Sequence, residues 1–134
     1  SRARILSFIS NACKAYKLDS TQVFLMGFSQ GAIMSYDIAL KAPAKIKGVL
    51  ALSGRLMEES RQLKTDWQLA DQIQFFIAHG TNDNVIHPDE ASRASQFLIT
   101  NKVKNVTSKS YPVAHTITGT ELEDIKSWLT KAIR

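Results

Sequence analysis

Apolar residues at Ile5, Phe8, Ile9, Ala12, Ala15 and Tyr16 recur at the spacing of one helix face and predict an amphipathic first helix. Asp19-Ser20 interrupts it. Val23-Phe24-Leu25-Met26 is then a short, wholly apolar run, the pattern of a strand buried on both faces. A second helix is expected from Gln30 to about Lys41, stopping ahead of Pro43. Ile46 to Ser53 reads as a second buried strand closed by Gly54. Arg55 to Gln72 is polar and weakly periodic, with Leu56, Met57, Trp67 and Leu69 available to cover a neighbouring surface. Ile73 to Ala78 is a third strand, followed by the turn-rich string His79-Gly80-Thr81-Asn82-Asp83-Asn84. Pro88-Asp89-Glu90 opens a third helix with Ala91, Ala94, Phe97 and Leu98 at helical spacing. Val106 to Tyr111 is a fourth strand. Gly119-Thr120 precedes a last helix carrying Leu122, Ile125, Leu129 and Ile133, and Thr120 with Glu123 has the spacing of a capping box.

Strands that alternate with helices imply parallel pairing through right-handed crossovers, hence an open α/β sheet with helices on both faces. In such sheets chemistry gathers at the carboxyl ends of the strands. No repeat, low-complexity tract or linker divides the 134 residues, so they are read as part of one domain.

Composition narrows the possibilities. A hydrophobic share of 44% and a charged share of 22% are those of an ordinary globular protein. The net charge of +5 raises the question of nucleic acid. Its sources are dispersed, however, over Lys14 and Lys17, Lys41, Lys45 and Lys47, Lys102, Lys104 and Lys109, and Lys126, Lys131 and Arg134. No stretch interleaves them with aromatic residues as a stacking groove would, so no nucleic-acid partner is expected. No apolar run approaches the ~20 residues of a spanning helix, and no stable membrane insertion is expected. The lone Cys13 needs no oxidising compartment, and the basic, then apolar start lacks the core and cleavage site of a signal peptide. A cytoplasmic protein is the default expectation.

Gly27-Phe28-Ser29-Gln30-Gly31 is a G-x-S-x-G motif between an apolar strand and a helix. In such an elbow the nucleophile sits on a strained turn, and glycines two residues either side avoid collisions with strand and helix. The helix that starts at once places positive dipole and free N–H groups beside the serine, making the Gln30 N–H a candidate oxyanion donor. A serine hydroxyl is nearly inert near neutrality without a base, so a histidine held by an acid is required. Asp83 follows the third strand and His115 the fourth, in the chain order Ser, Asp, His that this elbow accompanies. Ser29, Asp83 and His115 are therefore the candidate triad.

Other residues have plainer readings. His79 is expected to support its turn, His87 to face solvent, and Asp89 to cap the third helix. Ser53 ends a strand but lacks a glycine two residues earlier. Cys13, Trp128, Phe97 and Tyr16 read as packed or half-packed helix residues. Three histidines and one cysteine show no ligand spacing, so no metal and no cofactor are expected.

These strings resemble the carboxylesterase/phospholipase branch of the α/β-hydrolases, which includes acyl-protein thioesterases and small bacterial carboxylesterases. The likeness rests on Val23 to Ala32, on Leu52-Ser53-Gly54, on His79 to Ile86 and on Tyr111 to Ile117, and runs from about residue 5 to the end. Alanine stands at Ala32 and Ala114 where such proteins commonly carry glycine. The resemblance implies a partial α/β-hydrolase fold, about four strands forming the C-terminal part of a single domain. In this family several strands precede the first helix seen here, and a glycine-rich loop among them donates a second oxyanion N–H. Ser1 thus falls inside a domain, and one edge of the Val23–Met26 strand is expected to lack a partner, which a missing N-terminal segment or a second chain would supply to complete the sheet. The implied activity is cleavage of short- to medium-chain esters, acyl-thioesters or lysophospholipids through an acyl-enzyme on Ser29. The rate should rise with pH through a value near the ~6.5 of free histidine, and the chain by itself should be much less active than one with both oxyanion donors. Two alternatives stand beside this: a non-catalytic binding module on the same fold, and a hydrolase of peptide or lactone bonds.

Overall fold

The computed structural model describes residues 2–133; Ser1 and Arg134 lie outside the described residues. Four parallel strands are ordered across one sheet as they occur in the chain: β1 (Phe24–Phe28), β2 (Gly48–Leu52), β3 (Gln74–Gly80) and β4 (Asn105–Tyr111). Each crossover carries helix: α2 (Gln30–Lys41) after β1, the short α3 (Glu58–Arg61) and α4 (Trp67–Ala70) after β2, and α5 (Asp89–Thr100) after β3. Helix α1 (Arg2–Ala15) leads into the sheet and α6 (Gly119–Ala132) follows it. The register Phe28↔Leu52, Leu52↔Ala78 and Gly80↔Tyr111 aligns the carboxyl ends, so that the loops leaving β1, β3 and β4 emerge along one rim.

The strand alternation sorts two cores. Val49, Ala51, Phe75 and Ile77 pack beneath α2 and α5, joined by Leu56 and Ala70 from the segment between β2 and β3 and, at the margin, by Ile5, Leu6 and Ile9 of α1. Leu50, Leu52, Phe76 and Ala78 face α6 through Ile125, Trp128 and Leu129. Trp67 meets the Phe97 ring at 5.7 Å edge to face, which explains how the polar segment 55–72 is held down. Leu69, expected to cover a surface, is exposed.

Several expectations need correction. The first strand runs to Phe28 and is not buried on both faces: Met26 is 60% and Phe28 39% exposed. Phe24, Met26 and Phe28 alternate onto the α6 side, and α6 reaches only Phe24, through Trp128. As expected, β1 lies at an edge of the sheet. The packed stripe of α1 is also rotated: Ile5, Leu6 and Ile9 are partly buried against the core, whereas Phe8 and Tyr16 are exposed. Helix α6 begins one residue after Thr118, whose hydroxyl accepts from the Glu121 N–H at 3.1 Å. The cap is therefore Thr118 with Glu121, not Thr120 with Glu123. Asp89 is the first residue of α5 but caps nothing with its side chain; its own N–H instead donates to His87 Nδ1 at 3.2 Å. His87 is exposed, as expected. His79 and Gly80, assigned to a turn, complete β3.

Candidate active site

Ser29 stands between the end of β1 and the first residue of α2 with φ 58° and ψ −113°, a left-handed backbone that costs a non-glycine residue about 1–3 kcal/mol. Two features hold it there. Its N–H donates to the Leu52 carbonyl at 2.8 Å, while its carbonyl accepts from Ala32 and Ile33 in the opening turn of α2. Gly27 supplies the space: a Cβ on it would lie 2.2 Å from the Gly31 carbonyl carbon and 2.6 Å from the Ala32 nitrogen. The same reasoning fails at Gly31, where a Cβ would meet nothing within 4 Å. At Gly54 a Cβ would come 2.3 Å from Ala32 Cβ, so the glycine after β2 is what accommodates alanine at position 32.

The structure brings the three predicted side chains together. His115 Nε2 lies 3.0 Å from Ser29 Oγ, and His115 Nδ1 lies 2.7 Å from Asp83 Oδ2. Asp83 is fully buried and His115 mostly so, whereas Ser29 remains partly open. The Phe28 ring packs against the imidazole with centroids 4.8 Å apart. Because an ionised carboxylate can only accept, Asp83 fixes the His115 proton on Nδ1 and leaves Nε2 as the acceptor facing the serine hydroxyl.

Asp83 sits in an Asx-type turn: Oδ1 accepts from the Val85 N–H at 2.8 Å and the Ile86 N–H at 2.9 Å. Burial pushes its carboxyl pKa up, but the His115 hydrogen bond and the two backbone N–H groups outweigh that and hold it below the ordinary carboxylate range. An acid in this setting stays ionised and can steady an imidazolium.

The Gln30 N–H, in the first turn of α2, belongs to the groups that a helix leaves without carbonyl partners, and the positive end of the helix dipole adds to it. The alternatives are elsewhere. Ser53 is buried, and its hydroxyl has no hydrogen-bond partner among the described residues. Cys13 is a free thiol on α1. Among the described residues no group of His, Cys, Asp and Glu could hold a metal ion, and no helix is long and apolar enough to cross a membrane.

Two neighbours of the three side chains were not read from the sequence. Phe28 is one, against the His115 ring. The other is His79, expected only to support its turn, whose Nε2 lies 2.8 Å from the Ile86 carbonyl and 3.1 Å from Asp83 Oδ2. The four-residue spacing to Asp83 was visible, but on a strand-to-turn segment it does not say which way an imidazole points.

A model of the phospholipase/carboxylesterase family matches residues 2–133. The chain is 30% identical over 130 residues to acyl-protein thioesterase 1 of Cryptococcus neoformans, covering 87% of this chain and 55% of that protein. It is 32% identical over 116 residues to acyl-protein thioesterase 1 of Saccharomyces cerevisiae, covering 84% and 50%. Among solved structures, the Bacillus cereus carboxylesterase superposes with a TM-score of 0.86 at 27% identity, over 98% of this chain and 59% of that one. Zea mays acyl-protein thioesterase 2 gives a TM-score of 0.75 at 20% identity, over 94% and 63%, which speaks for the fold alone. The chain thus spans about half the length of the curated relatives it matches.

Proposed function

The chain belongs to the phospholipase/carboxylesterase family, and from that premise we propose that it is the C-terminal part of a single α/β-hydrolase domain whose Ser29 cleaves carboxylic esters or acyl-thioesters. One observation carries the reading: a hydroxyl, an imidazole and a carboxylate from three strand ends lie in a continuous hydrogen-bonded row. A binding module would have no use for all three.

In this mechanism Ser29 Oγ attacks the acyl carbonyl while His115 Nε2 takes its proton. Asp83, kept ionised by its donors, stabilises the resulting imidazolium. The Gln30 N–H receives the developing oxyanion, and a second donor comes from the strands that precede α1 in the family. His115 then protonates the departing alcohol or thiol. In the second half it activates water, which releases the acid and restores Ser29. Removing one oxyanion donor costs about 10²–10³ in turnover, so each of the two carries a large share of the rate. The exposed edge of β1 and the bare Met26–Phe28 surface are where the preceding strands would complete the sheet.

Substrates of this reading are small acyl esters and thioesters, including acylated thiols of the kind named in the relatives' descriptions. A cytoplasmic setting goes with it, supported by the unpaired thiol of Cys13. The test is hydrolysis of p-nitrophenyl esters and acyl-thioesters by the chain and by its Ser29→Ala variant. Turnover that disappears with the hydroxyl supports the reading. Turnover that persists in the variant, or hydrolysis of peptide amides in preference to esters, rejects it.

A further inference from the structure

Phe28 is a large aromatic residue at the end of a strand, yet it joins neither core. It is 39% exposed, α6 reaches only as far as Phe24, and both buried clusters are built and flanked by other residues. The ring it does meet is that of His115, with centroids 4.8 Å apart and planes inclined at 42°, well short of the perpendicular at which a phenyl rim points at its neighbour. Both imidazole nitrogens are already engaged, Nδ1 with Asp83 and Nε2 with Ser29, so Phe28 takes a remaining flank of the ring. The His115 side chain is 17% exposed, and little water competes for it. A phenyl face carries negative potential and attracts a cation within about 6 Å of its centre. A neutral imidazole gains only ordinary contact there. In the hydrolase mechanism His115 becomes cationic as Ser29 attacks, so the added attraction belongs to the transition state and not to the ground state. That is the condition for faster chemistry.

We propose that Phe28 is a positioning residue whose π face steadies the His115 imidazolium during attack and release. The inference rests on the Ser29 hydrolase reading for its effect on rate, whereas its effect on the titration of His115 needs no turnover. Taking away the π face while keeping apolar bulk makes the imidazole a weaker base. The rate–pH midpoint then falls, and kcat on the high-pH plateau falls with it. Loss of packing alone would slow the reaction without lowering the midpoint, and water admitted to the imidazolium would raise it. At ordinary cation–π strength the change is about 2- to 5-fold in kcat and about half a pH unit in the midpoint. Oxygen esters and thioesters should lose alike, because Phe28 acts on the base and not on the departing atom. Among the described residues the charged group that meets His115 is Asp83, from the loop after β3; Ser29 meets it from the elbow, and His79 lies beyond Asp83 at the end of β3. All three stay in place when only residue 28 is changed.

The test compares the parent with Phe28→Leu, with Phe28→Tyr and with a protein carrying pentafluorophenylalanine at position 28. Leucine keeps apolar cover without a π face, and tyrosine keeps the face. Fluorination keeps the ring's outline while reversing the potential of its face. The leucine and fluorinated proteins should lose about 2- to 5-fold in kcat, with midpoints lower by about half a pH unit, and the tyrosine variant should match the parent. A folded leucine or fluorinated protein with a parental or raised midpoint overturns the proposal, as does a folded tyrosine variant as impaired as the leucine one. Ring ¹⁵N titration of His115 reads the same midpoint without any turnover. It should lie higher in the parent than in the fluorinated protein, and equal midpoints overturn the proposal. Absence of any Ser29-dependent hydrolysis by the parent would instead count against the hydrolase reading, while the titration still judges the Phe28 contact.

Discussion

Replacing Gly80 by alanine tests how the end of the sheet sets the position of His115. Gly80 is the last residue of β3, and the segment before His115 passes directly over it. A Cβ on Gly80 would lie 2.3 Å from the carbonyl oxygens of both Val113 and Ala114, and 3.0 Å from the Val113 carbonyl carbon. These are backbone atoms, so no side chain can swing aside. To reach ordinary contact the segment must withdraw by about 1 Å. It is pinned on both sides, since Thr81 N–H donates to the Tyr111 carbonyl at 2.8 Å and Asn82 N–H to the Val113 carbonyl at 3.0 Å. Withdrawal therefore strains the second of these bonds and carries His115, the next residue but one, away from Ser29. The Nε2–Oγ separation is 3.0 Å and has little room to grow. A misplacement of about 1 Å costs roughly 10²-fold in rate, and forcing a methyl into a filled space costs about 1–3 kcal/mol of stability. Gly80→Ala should thus hydrolyse p-nitrophenyl butyrate about 100-fold more slowly than the parent, with Tm lower by about 4–12 °C. Gly119→Ala is the matched control, because a Cβ there meets nothing within 4 Å and the site opens a helix. Its rate should be parental and its Tm equal or higher. Parental rate and Tm in Gly80→Ala would refute the claim that this close approach locates the histidine.

Asp83→Asn should lower kcat by about 10⁴-fold, since an amide in that turn no longer enforces the Nδ1–H tautomer or steadies the imidazolium; steady-state kinetics with the ester decide it, and a loss under about tenfold would contradict the assignment. Glu121→Gln should stabilise the protein. Glu121 is fully buried, and neither carboxylate oxygen has a hydrogen-bond partner among the described residues; burial raises its pKa, helped by the Asp124 charge. The native state therefore holds that proton to higher pH than the unfolded chain does. Parental stability accordingly falls as pH rises from the ordinary glutamate value through the raised one. The variant should gain about 1 kcal/mol, or ~4 °C in Tm, above that window and nothing at acid pH. Thermal melts at several pH values check this, and a gain independent of pH would speak against it.

How much of this was legible in the sequence depended on whether the deciding force was local. The Ser29 turn was legible because its constraint lies within five residues, and Asp83 and His115 because each lies in the loop after a segment that reads as a strand, in the order Ser, Asp, His. Parallel order followed from alternation alone. What was lost depended on partners far along the chain. Val23–Met26 is apolar enough to be doubly buried, but α6 covers Phe24 and stops short of Met26, which no local pattern reveals. On α1 both Phe8 and Leu6 could have faced the core, and only the placement of α2 and the sheet chooses Leu6. At the start of α6 two Thr-x-x-Glu strings overlap. Thr118 is the cap because Glu121 goes inward, and a buried bare carboxylate is the last thing composition would suggest. That His79 turns its Nε2 to the Ile86 carbonyl beside Asp83 is a matter of side-chain direction that spacing does not carry.

If Ser29 is a nucleophile, it is so because His115 sits against it. Mass spectrometry after exposure to a fluorophosphonate, on the parent and on His115→Ala, measures this directly. The parent should carry one adduct, on Ser29, and labelling should slow by at least about 10³-fold in the variant. An unlabelled Ser29 in the folded parent, or equal labelling with the imidazole gone, would contradict it.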